Sequence, residues 1–246
     1  MKRTNYIIAN WKMNGTEKSI SVIKSIQKYV LRKRISVSKI VICPPFTILG
    51  SFIKKTHKTI SFGAQDTHYE DLGAFTGSIS SLMLKSLGVK YVMVGHSERR
   101  QYQNESVSEL SKKINSTLSK NLKVIFCIGE KLNEINKRSS ILKKQLSSLP
   151  KKFSNKNIII AYEPVWAIGT GKTPTLKQIN NIHKTIRKMI HRKIGKEALK
   201  ISIIYGGSVN PNNSKDILAL SDVDGALVGG ASLKSKDFCK IIDSSN

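Results

Sequence analysis

Tyr91-Val92-Met93-Val94-Gly95-His96-Ser97-Glu98-Arg99-Arg100 sets the pattern for the whole chain. Four apolar residues with no polar alternation read as a strand buried on both faces, the habit of parallel sheets. The apolarity stops at a glycine, and the residues after it titrate or hydrogen-bond. A strand that ends in such residues is expected where the loops at one end of a sheet carry a site.

The same order recurs on both sides of this stretch. Apolar runs rich in Ile and Val stand at 6–9, 39–43, 60–64, 124–128, 158–161, 201–204 and 225–228, which with 91–94 makes eight. Between them, Ile20, Ile23, Ile26 and Val30 repeat at helical spacing before the basic stop Arg32-Lys33-Arg34. Ile179, Ile182, Ile186, Met189 and Ile190 mark a helix over 175–193, opened by Pro174 and Thr175 and closed near Gly195. Residues 107–118 predict a third helix and 132–149 a more polar fourth. Eight strand–helix units without a long linker predict an α/β protein, one closed (β/α)8 barrel forming a single domain over 1–246. An open doubly wound sheet is the alternative that this alternation also permits.

In either architecture a ligand binds beyond the carboxyl ends of the strands. After 6–9 come Asn10, Trp11, Lys12, Met13 and Asn14, and after 158–161 come Tyr162, Glu163 and Pro164. The last two runs end in Gly206-Gly207-Ser208 and Gly229-Gly230. Singly, Lys12 reads as a surface lysine, His96 as a core histidine, Glu163 as a helix-start carboxylate and the glycines as turns. Gathered on one rim, they read as a site. Two glycine pairs after the final two strands point to a phosphate, because backbone amides and a helix N-terminus can close on an anion there.

The segment EPVWAIGTGKT at 163–173 is apolar in its middle and bounded by prolines and glycines. It reads as a lid that excludes water. Its end resembles a P-loop, but Trp166 stands where the first glycine of that motif belongs, which excludes a nucleotide triphosphatase.

Lys and Arg number 42 against 16 Asp and Glu, a net charge of +26. A nucleic-acid partner calls for a concentrated patch with interleaved aromatics. Here the basic pairs Lys54-Lys55, Lys112-Lys113, Lys143-Lys144 and Lys151-Lys152 are scattered, and aromatics are only 7%. The charge therefore reads as a solvated basic surface. Cys43, Cys127 and Cys239 are far apart and form no CxxC pair, which fits a reducing, cytoplasmic setting. The N-terminal apolar stretch of about four residues is too short for a secretory signal. No run approaches the roughly 20 apolar residues of a membrane span.

NWKMN at 10–14, GAQD at 63–66, GAFTG at 73–77, VGHSERR at 94–100 and CIGE at 127–130 follow one another along the chain. AYEPVWAIGTGKT at 161–173, YGGSV at 205–209 and DGALVGGASL at 224–233 complete the series. Over essentially its whole length the sequence resembles the triosephosphate isomerase family. The resemblance implies a TIM barrel and a glycolytic isomerase that is homodimeric and needs neither cofactor nor metal. Its reaction would interconvert dihydroxyacetone phosphate and glyceraldehyde 3-phosphate through an enediolate. By the same resemblance Glu163 would move the proton, His96 would polarise the substrate oxygens, Lys12 would stabilise negative charge and Asn10 would orient the substrate. Gly169, Ser208, Gly229 and Gly230 would hold the phosphate, with Glu98 beside Lys12 or His96. The loop at 67–72 would reach into a partner subunit's pocket, with dimer contacts over 66–77. The stretch 131–157 departs from the family in being more basic and somewhat short. Two other readings stay open: a sugar-phosphate aldolase with Lys12 as Schiff-base nucleophile, and a nucleic-acid-binding protein on a retained barrel.

Overall fold

The computed structural model describes residues 3–56, 58–168 and 173–245. Its strands are β1 (Asn5–Asn10), β2 (Ser38–Cys43), β3 (Ser61–Ala64), β4 (Tyr91–Val94), β5 (Lys123–Ile128), β6 (Ile158–Tyr162), β7 (Ile203–Tyr205) and β8 (Gly225–Val228). Each pairs in parallel with its neighbour in sequence, and β8 returns to β1 from Tyr6↔Gly225 to Ala9↔Val228. This return closes the sheet into a TIM barrel and removes the open-sheet alternative.

Successive side chains on a strand point to opposite faces. Ile8, Val41, Met93, Ile125, Ile159, Ile204 and Leu227 point inward and fill the barrel. Ile7, Ile42, Val92, Phe126 and Ile160 point outward into the larger core beneath the helices. The runs are apolar throughout because both faces are buried.

The helices are α1 (Ile20–Arg32), α2 (Phe46–Lys55), α3 (Ser81–Ser86), α4 (Ser97–Tyr102), α5 (Val107–Ser119), α6 (Arg138–Leu146), α7 (Leu176–Ile194), α8 (Ser214–Leu218) and α9 (Ser235–Asp243). The stripe expected in α1 is buried at Ile23, Ile26 and Val30. Helix α7 starts in a reciprocal cap: Thr175 Oγ1 accepts from the Gln178 amide at 3.2 Å, and Gln178 Oε1 accepts from the Thr175 amide at 2.8 Å. It stops at Gly195, whose φ of 63° suits a residue without a Cβ.

Two sequence expectations shift. The helix expected over 132–149 opens as a 3-10 turn, Leu132–Lys137, and only Arg138–Leu146 is α-helical. Its buried residues are Leu142 and Leu146, a stripe too thin to carry a longer helix. The run at 201–204 begins its strand only at Ile203, although the Ser202 carbonyl already accepts from the Ile160 amide at 3.0 Å. Among the described residues no helix is long and apolar enough to cross a membrane.

Candidate active site

The carboxyl ends of the strands place the predicted residues around one cavity of about 260 Å³. Asn10, Lys12, His96, Glu163, Ser208, Gly229 and Gly230 all line it. Gly169 lies outside the described residues, as do the neighbouring residues 170–172 of the apolar segment.

Lys12 leaves β1 with φ at 53°, a left-handed backbone rare for a residue with a side chain. Its amide donates to Asn10 Oδ1 at 3.0 Å. Gln65 Nε2 donates to the carbonyls of Lys12 and Cys43, each at 2.9 Å. The ends of β1, β2 and β3 thus hold a strained turn that aims Lys12 across the barrel mouth. Its Nζ donates to Glu98 Oε1 at 2.6 Å, and Glu98 Oε2 lies 3.6 Å from His96 Nδ1. Glu98 thus stands between Lys12 and His96.

His96 ends the loop from β4 and caps α4. The Glu98 amide donates to its Nδ1 at 3.3 Å. A ring nitrogen that accepts this bond carries no hydrogen, so the Nε2–H points the other way, toward Glu163 Oε1 at 3.0 Å. Glu163 is 1% exposed, and its Oε2 accepts from the Ser97 amide at 3.2 Å. Burial pushes the Glu163 carboxyl up. The His96 ring, the Arg100 guanidinium and the Ser97 amide outweigh that and hold it below the usual carboxylate range.

Two glycines make room for Glu163, one for its backbone and one for its side chain. A Cβ on Gly129 would sit 1.7 Å from the Glu163 carbonyl oxygen, and one on Gly206 would sit 2.8 Å from Glu163 Cγ. Their role is close approach, not a tight turn. Across the cavity, Gly230–Leu233 form a short 3-10 turn directly after β8, the position where barrels bind phosphate.

Sequence reasoning assigned no role to Gln65, Ser97, Arg100 or Glu130. The Arg100 guanidinium donates to the Gly95 and Cys127 carbonyls and ties the end of β4 to that of β5. Glu130 is fully buried. It accepts from Arg138 Nε at 2.8 Å, from the Tyr162 hydroxyl at 3.0 Å and from Trp166 Nε1 at 3.3 Å. All four stand inside or beside the quoted motifs, but only their partners in space reveal what they do.

A family model described as triosephosphate isomerase matches residues 5–245. The chain is 44% identical to the triosephosphate isomerase of Thermoanaerobacter pseudethanolicus over 98% of this chain and 99% of that one. It is 45% identical to the triosephosphate isomerase of Phocaeicola vulgatus over 98% of each. The crystal structure of triosephosphate isomerase from Bartonella henselae matches with a TM-score of 0.90 at 38% identity, covering 98% of both chains. By its sequence and its closed barrel alike, the chain belongs to the triosephosphate isomerase family.

Proposed function

We propose that this single-domain barrel, over 1–246, interconverts dihydroxyacetone phosphate and glyceraldehyde 3-phosphate. The observation that carries the reading is a buried carboxylate, Glu163, 3.0 Å from His96 Nε2, in a cavity also lined by Lys12 and two glycine pairs. The substrate phosphate rests against Ser208, Gly229, Gly230 and, by family resemblance, Gly169, with the Lys12 ammonium and Asn10 facing the carbon chain.

Substrate entry separates Glu163 from His96 and Ser97. The contacts that hold its pKa low are then lost while burial remains, so the carboxylate becomes a stronger base. It takes a proton from the carbon next to the carbonyl. The C–H electron pair becomes a carbon–carbon double bond, and the carbonyl oxygen gains the charge. The His96 Nε2–H and the Lys12 ammonium donate to that oxygen. Glu163 then returns the proton to the neighbouring carbon. The proton on the adjacent hydroxyl passes to the former carbonyl oxygen, with His96 Nε2 as its carrier. Two protons have thus moved, one between carbons and one between oxygens, and no external oxidant or cofactor enters the scheme. The enediolate loses phosphate if water reaches it, which is the reason to assign a lid to 164–173. Against an aldolase, Lys12 is ion-paired with Glu98 at 2.6 Å instead of sitting in an apolar pocket.

A second copy of the chain as partner is supported by the loop at 66–77. Asp66 anchors it through Arg99 at 2.8 Å and Lys113 at 3.0 Å, while Leu72 and Phe75 stand 78% and 41% exposed. Beside Lys12 lies a cavity of about 390 Å³ lined by Met13, Phe46, Glu98 and Tyr102, which has room for such a loop. Three free cysteines support a cytoplasmic location. An assay coupling glyceraldehyde 3-phosphate turnover to reduction of the product ketone tests the activity. Wild type turns over; Glu163→Gln loses roughly 10²–10⁴-fold or more in kcat. A variant that keeps more than about a tenth of wild-type kcat refutes the role of Glu163.

A further inference from the structure

The opposite mouth of the barrel holds a cluster that this chemistry leaves unused. Ile8, Val41, Met93 and Ile125 point inward. Alternation then puts Tyr6, Lys39, Tyr91 and Lys123 on the same inner surface, two residues nearer the strand starts. Register joins them, with Tyr6 beside Lys39 and Tyr91 beside Lys123. The rings of Tyr6 and Tyr91 meet edge to face at 6.3 Å. Lys123 Nζ donates to the Tyr6 hydroxyl at 2.9 Å and to the Asn155 carbonyl at 2.8 Å, and lies 5.3 Å from the centre of the Tyr6 ring.

Both acceptors are neutral. Burial, with Tyr91 alongside, pushes the Tyr6 hydroxyl far above its usual range, so it is no phenolate at physiological pH. The charge that acts on Lys123 is another cation, Lys39. Burial first and Lys39 second pull the Lys123 ammonium down to about 8. Lys123 is half-buried and Lys39 exposed, so the amine can be reached from the mouth. Desolvation and a cationic neighbour are the two conditions that turn a lysine into a nucleophile.

We propose that Lys123 is a nucleophilic amine at the barrel floor that condenses with small anionic aldehydes, whose acid group the Lys39 ammonium receives. The nitrogen lone pair bonds to the aldehyde carbon while the C=O pair moves to oxygen, which takes a proton. Nitrogen loses one proton to give the carbinolamine. The hydroxyl takes a second proton from solvent and leaves as water, the nitrogen lone pair forms the C=N bond, and nitrogen releases its second proton to solvent. Amine plus aldehyde gives imine plus water, with no oxidant or reductant. The site lies at the strand starts and does not depend on the role given to Glu163.

The test is reductive labelling of the full chain with glyoxylate and cyanoborohydride at pH 7, read by peptide mass spectrometry. A pKa near 8 leaves about a tenth of the amine free at pH 7, against less than a thousandth for an ordinary lysine. Nucleophilicity falls only as about the square root of basicity, so the gain of about 200-fold in free amine shrinks to an expected advantage over exposed Lys143 and Lys151 of about tenfold. Its rate should reach half its maximum near pH 8. Lys39→Gln, an exposed change that should leave thermal unfolding intact, should slow labelling at pH 7 severalfold and move the midpoint upward. Saturating 2-phosphoglycolate, which occupies the opposite rim, should not protect Lys123. The proposal is overturned if Lys123 labels no faster than Lys143, or if Lys39→Gln changes neither rate nor midpoint. Protection by 2-phosphoglycolate would overturn it as well.

Discussion

His183 of α7 is fully buried, with its ring edge-on to Tyr162 at 5.8 Å and near Tyr205 at 6.2 Å. Burial is the main reason its pKa falls from 6.5 to about 3, outweighing the Asp222 and Ile203 backbones, which favour the charged ring. In the unfolded chain the same ring takes its proton near 6.5. The unfolded state therefore binds more protons between those values, and stability falls as pH drops from above 6.5 toward 3. At pH 5 this one residue should cost about 2 kcal/mol relative to pH 7.5. Urea unfolding at both pH values should show that difference shrinking by a like amount in His183→Gln. An unchanged difference would mean that other groups set the acid sensitivity. The sequence showed His183 only as part of a helix, because its burial depends on tyrosines from two separate strands. Asn10, Lys12, His96 and Glu163 were legible for the opposite reason: each directly follows an apolar run, and strand ends are where barrels keep their chemistry. The support beneath them was hidden. Gln65 and Arg100 act on carbonyls contributed by other strand ends, and no local pattern names those partners.

At the scale of elements, local patterns fixed position where a wide stripe or a cap was present and failed where neither was. Helix α7 has both, and its observed bounds fall within a residue of those predicted. Thr175→Ala removes the hydroxyl that accepts the Gln178 amide and should cost about 1 kcal/mol in urea unfolding, with turnover of the folded enzyme unchanged. A cost near zero would mean that the Gln178 side chain alone holds the helix start. The stretch 132–149 has a buried pair, Leu142 and Leu146, in place of a stripe, and there the expected helix broke into a 3-10 turn and a short α6. Barrel closure was the element-scale fact least legible in sequence. The pairing Tyr6↔Gly225 joins the two ends of the chain, and strand–helix alternation is the same in an open sheet.

For the whole molecule, the charge of +26 should act on capture of a phosphate dianion, not on proton transfer. A positive surface steers an anion toward the site, and salt screens that field over roughly 8 Å at physiological ionic strength. From low salt to about 0.3 M chloride, kcat/KM should fall steeply while kcat changes little. Reversing Lys143 and Lys144 on α6, away from the cavity, should flatten the slope. A slope that responds to Lys12 but not to the distant pair would mean that the surface charge has no part in capture.

The central claim is that Glu163 carries a proton between adjacent carbons of a triose phosphate. Its most direct test is turnover of glyceraldehyde 3-phosphate in deuterium oxide, followed by proton NMR. If Glu163 is the base, wild type forms dihydroxyacetone phosphate, deuterated at C1 to the extent that the carboxylate exchanges with solvent before returning the proton. Glu163→Gln forms neither the ketone nor the deuterated product at a comparable rate. Deuterated ketone produced by Glu163→Gln at the wild-type rate would contradict the assignment.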